Sequence, residues 1–136
     1  MRMRMRKAAA VALLAMGAGT AMAGDVPVET NVLNGAKVVL HVQPFLDATE
    51  LATLRLVLSN ADALSVFMPK AGGYAAMAVA PDEGFLRNGQ PVASATALGG
   101  LPDAKAAATA ALAACDQKRK PGGAACVLVL EVAPKG

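Results

Sequence analysis

Hydrophobic and polar positions alternate with two periods along this chain, and the switches between them set out its elements. Val38, Val39, Leu40 and Val42 make a β-branched run over Ala36–Val42, read as a strand that Pro44 ends, with the Asn34-Gly35 turn before it. Asp25–Asn31, polar and containing Pro27, reads as an extended or mobile start. Asp47 and Glu50 have the spacing of a capping box, and Leu46 and Leu51 that of a hydrophobic staple, so a helix opens there. Leu51, Leu54 and Leu58 give it an apolar face. Leu54, Leu56 and Leu58 also alternate, which suits a strand over Thr53–Leu58, and the caps decide for helix. A second short helix is predicted over Ala61–Met68, before Pro69.

Beyond the Gly72-Gly73 turn, Tyr74–Ala80 reads as a strand closed by Pro81 and the acidic turn Asp82-Glu83-Gly84. A turn at Arg87-Asn88-Gly89-Gln90 leads into an antiparallel strand over Val92–Leu98. Pro102-Asp103 starts a helix whose stripe is Ala104, Ala108, Ala111, Leu112 and Cys115. Lys120-Pro121-Gly122-Gly123 suits a type II turn. Ala124–Val132 is the most hydrophobic segment after the leader and is predicted to lie centrally. The order predicts an α+β fold: a single small domain, mainly antiparallel, with two main helices on one face of the sheet.

The first 23 residues change the picture. Arg2, Arg4, Arg6 and Lys7 precede the nine-residue apolar run Ala8–Met16, and Ala21-Met22-Ala23 supplies a small–x–small site. This is the tripartite pattern of a secretory signal peptide over residues 1–23, cleaved after Ala23, and it is short of the roughly 20 apolar residues of a membrane span. The expected product, residues 24–136, is periplasmic or secreted and meets the membrane only during export. The net charge of +3 belongs to this leader: nine cations and ten carboxylates follow it, so no nucleic-acid footprint is indicated.

Cys115 and Cys126 are the only cysteines. An even count in an exported chain predicts a disulfide, here joining a helix end to a strand start. A redox-active pair would want closer Cys-x-x-Cys spacing, and a metal site would want more than two thiolates and one distant histidine. His41, the only histidine, is a candidate general base, haem ligand or pH sensor; the competing reading is a residue on a solvated sheet face. Lys118-Arg119-Lys120 is a candidate contact for a small anion or acidic partner, weighed against a solvated loop. Asp82-Glu83 reads as a solvated turn, Ser94 and Thr96 have no positioned base, and neither Gly-x-Ser-x-Gly nor a phosphate-cradling Gly-x4-Gly-Lys is present. No cofactor is called for.

Gly73-Tyr74-Ala75-Ala76-Met77-Ala78-Val79, the helix end Ala111-Leu112-Ala113-Ala114-Cys115 and the strand start Ala125-Cys126-Val127-Leu128-Val129 together resemble a family of small secreted bacterial domains of unknown function. In that family an aromatic-led strand, a helix ending in Cys and a Cys-led strand recur; the resemblance covers the 64 residues from Gly73 to Gly136. It implies export and the Cys115–Cys126 bond, and it carries no catalytic residue. Chains of this look sometimes bear the name 5-aminolevulinate synthase. That reaction requires a pyridoxal phosphate pocket with a Schiff-base lysine in a far larger fold, so the activity is not expected here. The expectation is a non-catalytic binding or envelope-support domain. Its alternatives are a small hydrolase using His41 with Asp47 or Glu50, and a haem or tetrapyrrole binder with an apolar slot beside His41.

Overall fold

The computed structural model describes residues 26–68 and 73–134. The expected leader, Met1–Ala23, lies outside the described residues, as does Gly72 of the expected turn. The elements are β1 (Val28–Leu33), β2 (Ala36–His41), α1 (Ala48–Ser59), α2 (Ala61–Phe67), β3 (Tyr74–Val79), β4 (Leu86–Arg87), β5 (Gln90–Pro91), β6 (Thr96–Leu101), α3 (Ala104–Lys118) and β7 (Val127–Ala133). Among the described residues five strands form one antiparallel sheet in the order β1-β2-β7-β3-β6, and β4 and β5 form a separate small ribbon. The α+β class, the antiparallel sheet and the disulfide are all present, and β7 is the central strand.

Local chemistry explains most of the elements. Asp47 caps α1: its carboxylate accepts the Glu50 amide at 2.8 Å while Glu50 Oε1 accepts the Asp47 amide at 3.0 Å. Asn60 and Asp103 cap α2 and α3 one way only, their side chains accepting from the Ala63 and Ala106 amides. Asn34 and Gly35 both hold positive φ, 51° and 85°, and this two-residue turn joins β1 to β2. The turn makes a strand of what the sequence presents as an extended or mobile start. Asn31 donates to the Leu58 carbonyl, and Arg55 binds Glu29 through two hydrogen bonds, so β1 is tied to α1.

The helices divide between the two faces instead of sharing one. Every residue from Ala75 to Ala80 is buried, and alternate side chains enter different clusters. Ala75, Met77 and Val79 join Val38, Leu40, Leu54, Val57 and Leu130 beneath α1 and α2. Ala76, Ala78 and Ala80 meet Ala107, Ala111, Cys115 and Cys126 beneath α3. A strand buried on both sides needs a layer on each, and the all-alanine side allows α3 to approach closely. The buried face of α3 is Ala107, Ala111 and Cys115, with Ala104 exposed; in a helix this rich in alanine, composition does not mark the phase. In α1 the buried set includes Glu50 and Val57 beside Leu54 and Leu58.

Two strands shift from their expected bounds. β6 starts at Thr96 and runs through Gly99-Gly100, because Val92 instead closes the β4–β5 ribbon by donating to the Phe85 carbonyl. β7 starts at Val127, because the amides of Ala124 and Cys126 bind the carboxylates of Asp82 and Asp116. The pairing of β7 with β3 skips Val129, the extra residue of a bulge: Met77 faces Leu130, while Ala78 faces Leu128. The bulge inverts the alternation, so Leu128 lies toward α3 and Leu130 toward α1.

Candidate functional site

The α3 layer covers β3, β6 and part of β7, and among the described residues no helix covers the same face of β1 and β2. Register assigns the side chains on that face. Val28, Thr30 and Val32 of β1 lie opposite His41, Val39 and Lys37 of β2, and Val39 and Lys37 lie opposite Glu131 and Ala133 of β7. Val28 and Val32 are 53% and 62% exposed. Toward α3 the face deepens into a groove of about 190 Å³ lined by Lys37, Val39, Tyr74, Ala104, Glu131 and Ala133.

His41 sits at the end of β2, half-buried, with Nε2 2.6 Å from Glu131 Oε2. Glu131 is 90 residues away in sequence and reaches this face through the β2–β7 register, which sets it opposite Val39. The carboxylates of the expected hydrolase arrangement are elsewhere. Asp47 caps α1, and the fully buried Glu50 accepts from the Phe85 and Leu86 amides at 2.8 and 3.0 Å and meets Arg87 at 3.3 Å. A His–carboxylate pair fixes the orientation of an imidazole; nucleophilic catalysis also needs a nucleophile bonded to it. Among the described residues the hydrogen-bond partner of the His41 side chain is Glu131. The adjoining groove is smaller than the roughly 300 Å³ at which small-molecule sites begin.

Of the basic segment Lys118-Arg119-Lys120, the Arg119 side chain and the Lys120 amide are engaged within the protein, while the side chains of Lys118 and Lys120 are exposed. Arg119 donates to Asp116 at 2.7 Å and to the Gly123 carbonyl at 2.8 Å, and the Lys120 amide donates to Glu83 at 2.7 Å. The expected Pro121-Gly122 turn is formed, closed by the Gly123 amide on the Lys120 carbonyl. Asp82, Glu83 and Asp116 therefore clamp the loop that carries Cys126 to Cys115, and the acidic turn is structural. Cys115 and Cys126 are bonded, with Cα atoms 6.2 Å apart, and neither thiol is free. Among the described residues no group of three or more His, Cys, Asp or Glu side chains is placed to hold a metal ion, and no helix is long and apolar enough to cross a membrane.

The clamp is pH-sensitive. Hydrogen bonds from the Lys120 amide and the Ser94 hydroxyl hold Glu83 below its usual 4.5, and those from the Cys126 amide and Arg119 hold Asp116 below its usual 3.8. A lowered carboxyl pKa stabilises the fold fully above the unfolded value, and that contribution is lost as pH falls through the folded value. Amide exchange at Lys120 and Cys126 is expected to accelerate below these usual values, after correction for intrinsic rates. Asp116→Asn is expected to flatten the dependence at Cys126, and equal protection at pH 7 and pH 3 would count against the clamp.

No family model, curated protein or solved structure matches this chain.

Proposed function

We propose that the protein is an exported, disulfide-locked, non-catalytic domain that binds a protein partner through the uncovered face of β1, β2 and β7. The observation that carries this reading is the open face itself. Val28 and Val32 stand more than half exposed beside the His41–Glu131 pair and the Tyr74-lined groove. Apolar patches rimmed by polar groups favour protein contact, and a groove of this size suits one apolar side chain. Export is supported by the cationic and apolar leader pattern and by the Cys115–Cys126 bond, which persists in oxidising compartments. A small anion at Lys118-Arg119-Lys120 is the lesser reading, because Arg119 is already committed to Asp116 and Gly123.

Two measurements test this. Protein recovered from the periplasm or medium without reductant is expected to begin at Gly24 by intact mass and to show no free thiol after denaturation. A full-length intracellular species with two reactive thiols would overturn export. A photoreactive phenylalanine analogue at Lys37 is expected to give an adduct with one envelope protein, and the same probe at the exposed Gln117 of α3 none. Equal yields at both positions would remove the face from the proposal.

A further inference from the structure

We infer that the outer edge of β1 is a self-complementary interface through which two copies of this chain join their sheets about a two-fold axis at Thr30. The inference concerns the edge of the sheet and stands apart from the partner proposed for its face. The backbone phase is fixed by the hairpin. Val42 donates to the Pro27 carbonyl, and the two-residue Asn34-Gly35 turn closes on the Leu33–Ala36 pair, so residues 27, 29, 31 and 33 direct their main-chain groups toward β2. The N–H and C=O groups of Val28, Thr30 and Val32 then point outward, and among the described residues no strand pairs with them.

Proteins usually blunt such an edge with a proline, a lysine or a bulge. The opposite edge of this sheet, β6, contains Gly99-Gly100 and an irregular register with β3. β1 has none of these devices: its six residues, Val-Glu-Thr-Asn-Val-Leu, pair with β2 without a break. Its one charge, Glu29, is already engaged by Arg55, whose hydrogen bond holds it below the usual carboxylate range. Bringing two edges together therefore adds no unpaired carboxylate.

The order of residues supplies the symmetry. Val28-Glu29-Thr30-Asn31-Val32 is palindromic in character about Thr30. In an antiparallel pairing centred there, Thr30 meets Thr30, each Val28 lies opposite the Val32 of the other copy, and each Glu29 lies opposite an Asn31 instead of another Glu29. Every outward main-chain group finds its counterpart, because positions 28, 30 and 32 share one phase in both copies. An isologous contact requires this self-complementarity. The product is a continuous ten-stranded sheet that places the two uncovered faces side by side and pairs the exposed valines across the junction.

The test is sedimentation equilibrium of the purified disulfide-bonded protein, with Thr30→Pro as the decisive variant. Proline at an outward edge position removes N–H groups that β2 does not use. The wild type is expected to sediment as a dimer. Thr30→Pro is expected to dissociate at least about 30-fold more readily, from two lost main-chain bonds per dimer, with its far-UV circular dichroism unchanged. If Thr30→Pro does not fold, Val32→Lys gives the same reading by adding a charge opposite an apolar partner. A monomer at every concentration, or a dimer indifferent to a folded edge variant, would overturn the inference, as would a monomer that captures extended peptides along β1.

Discussion

Glu50→Ala is expected to destabilise the protein by about 3–5 kcal/mol, because it strips three backbone N–H donors of their acceptor at about 1–3 kcal/mol each. The side chain has no exposed surface, yet it serves three segments at once. Oε1 accepts the Asp47 amide and so completes the cap of α1, while Oε2 accepts the amides of Phe85 and Leu86. The Arg87 side chain, 41% exposed, brings its guanidinium to 3.3 Å. Alanine leaves three N–H donors without their acceptors and opens space beneath α1. Gly84 (φ +71°) belongs to the same arrangement, because a Cβ there would come within 2.4 Å of Glu50 Oε2. Arg87→Ala should cost under about 1 kcal/mol, since its charge is substantially solvated and both loop amides keep their acceptor. Urea unfolding measures both variants. A Glu50→Ala loss near 1 kcal/mol, the value of a helix cap alone, would show that the contacts to Phe85 and Leu86 contribute little.

Breaking the disulfide gives the second large effect. Cys115→Ala/Cys126→Ala is expected to lose roughly 3 kcal/mol, as the chain-entropy estimate gives for so short a closed loop. This corresponds to a fall of about 12–24 °C in melting temperature. The α3 side of the sheet makes the bond more important than its loop length alone suggests. That layer is built from Ala76, Ala78, Ala80, Ala107 and Ala111, residues that bury little apolar surface each. Cys115 is fully buried among them and Cys126 nearly so, and the bridge fixes the end of α3 to the start of β7. Calorimetry of the wild type with and without reductant, beside the double variant, tests this. Coincident melting temperatures in all three would mean that the alanine layer and the carboxylate clamp hold α3 unaided.

Features whose hydrogen bonds close within a few residues were legible in the sequence. The Asp47–Glu50 capping box, the Asn34-Gly35 and Pro121-Gly122 turns, the start of α3 at Asp103 and the central place of β7 follow from neighbours in the chain and from its most apolar run. Cysteine parity anticipated the disulfide, because two thiols allow one pairing. The α+β class follows from the order of these elements.

What tertiary structure decided is where distant segments meet. The β2–β7 register, which joins segments 90 residues apart, sets Glu131 opposite Val39 and so on the face of His41. Glu50 reads from sequence as a cap, and its bonds to Phe85 and Leu86 span 35 and 36 residues. Asp82 and Glu83 read as a solvated turn and Arg119 as a candidate anion contact until the return of β7 brings backbone amides and carbonyls to them. The division of helices between the faces required β3 to be buried on both sides, which a run of alanines does not announce. The sequence by itself determined the elements, through short-range capping, turn geometry and hydrophobic period. Register and burial, which belong to the assembled sheet, determined which polar groups found partners and which face was left open.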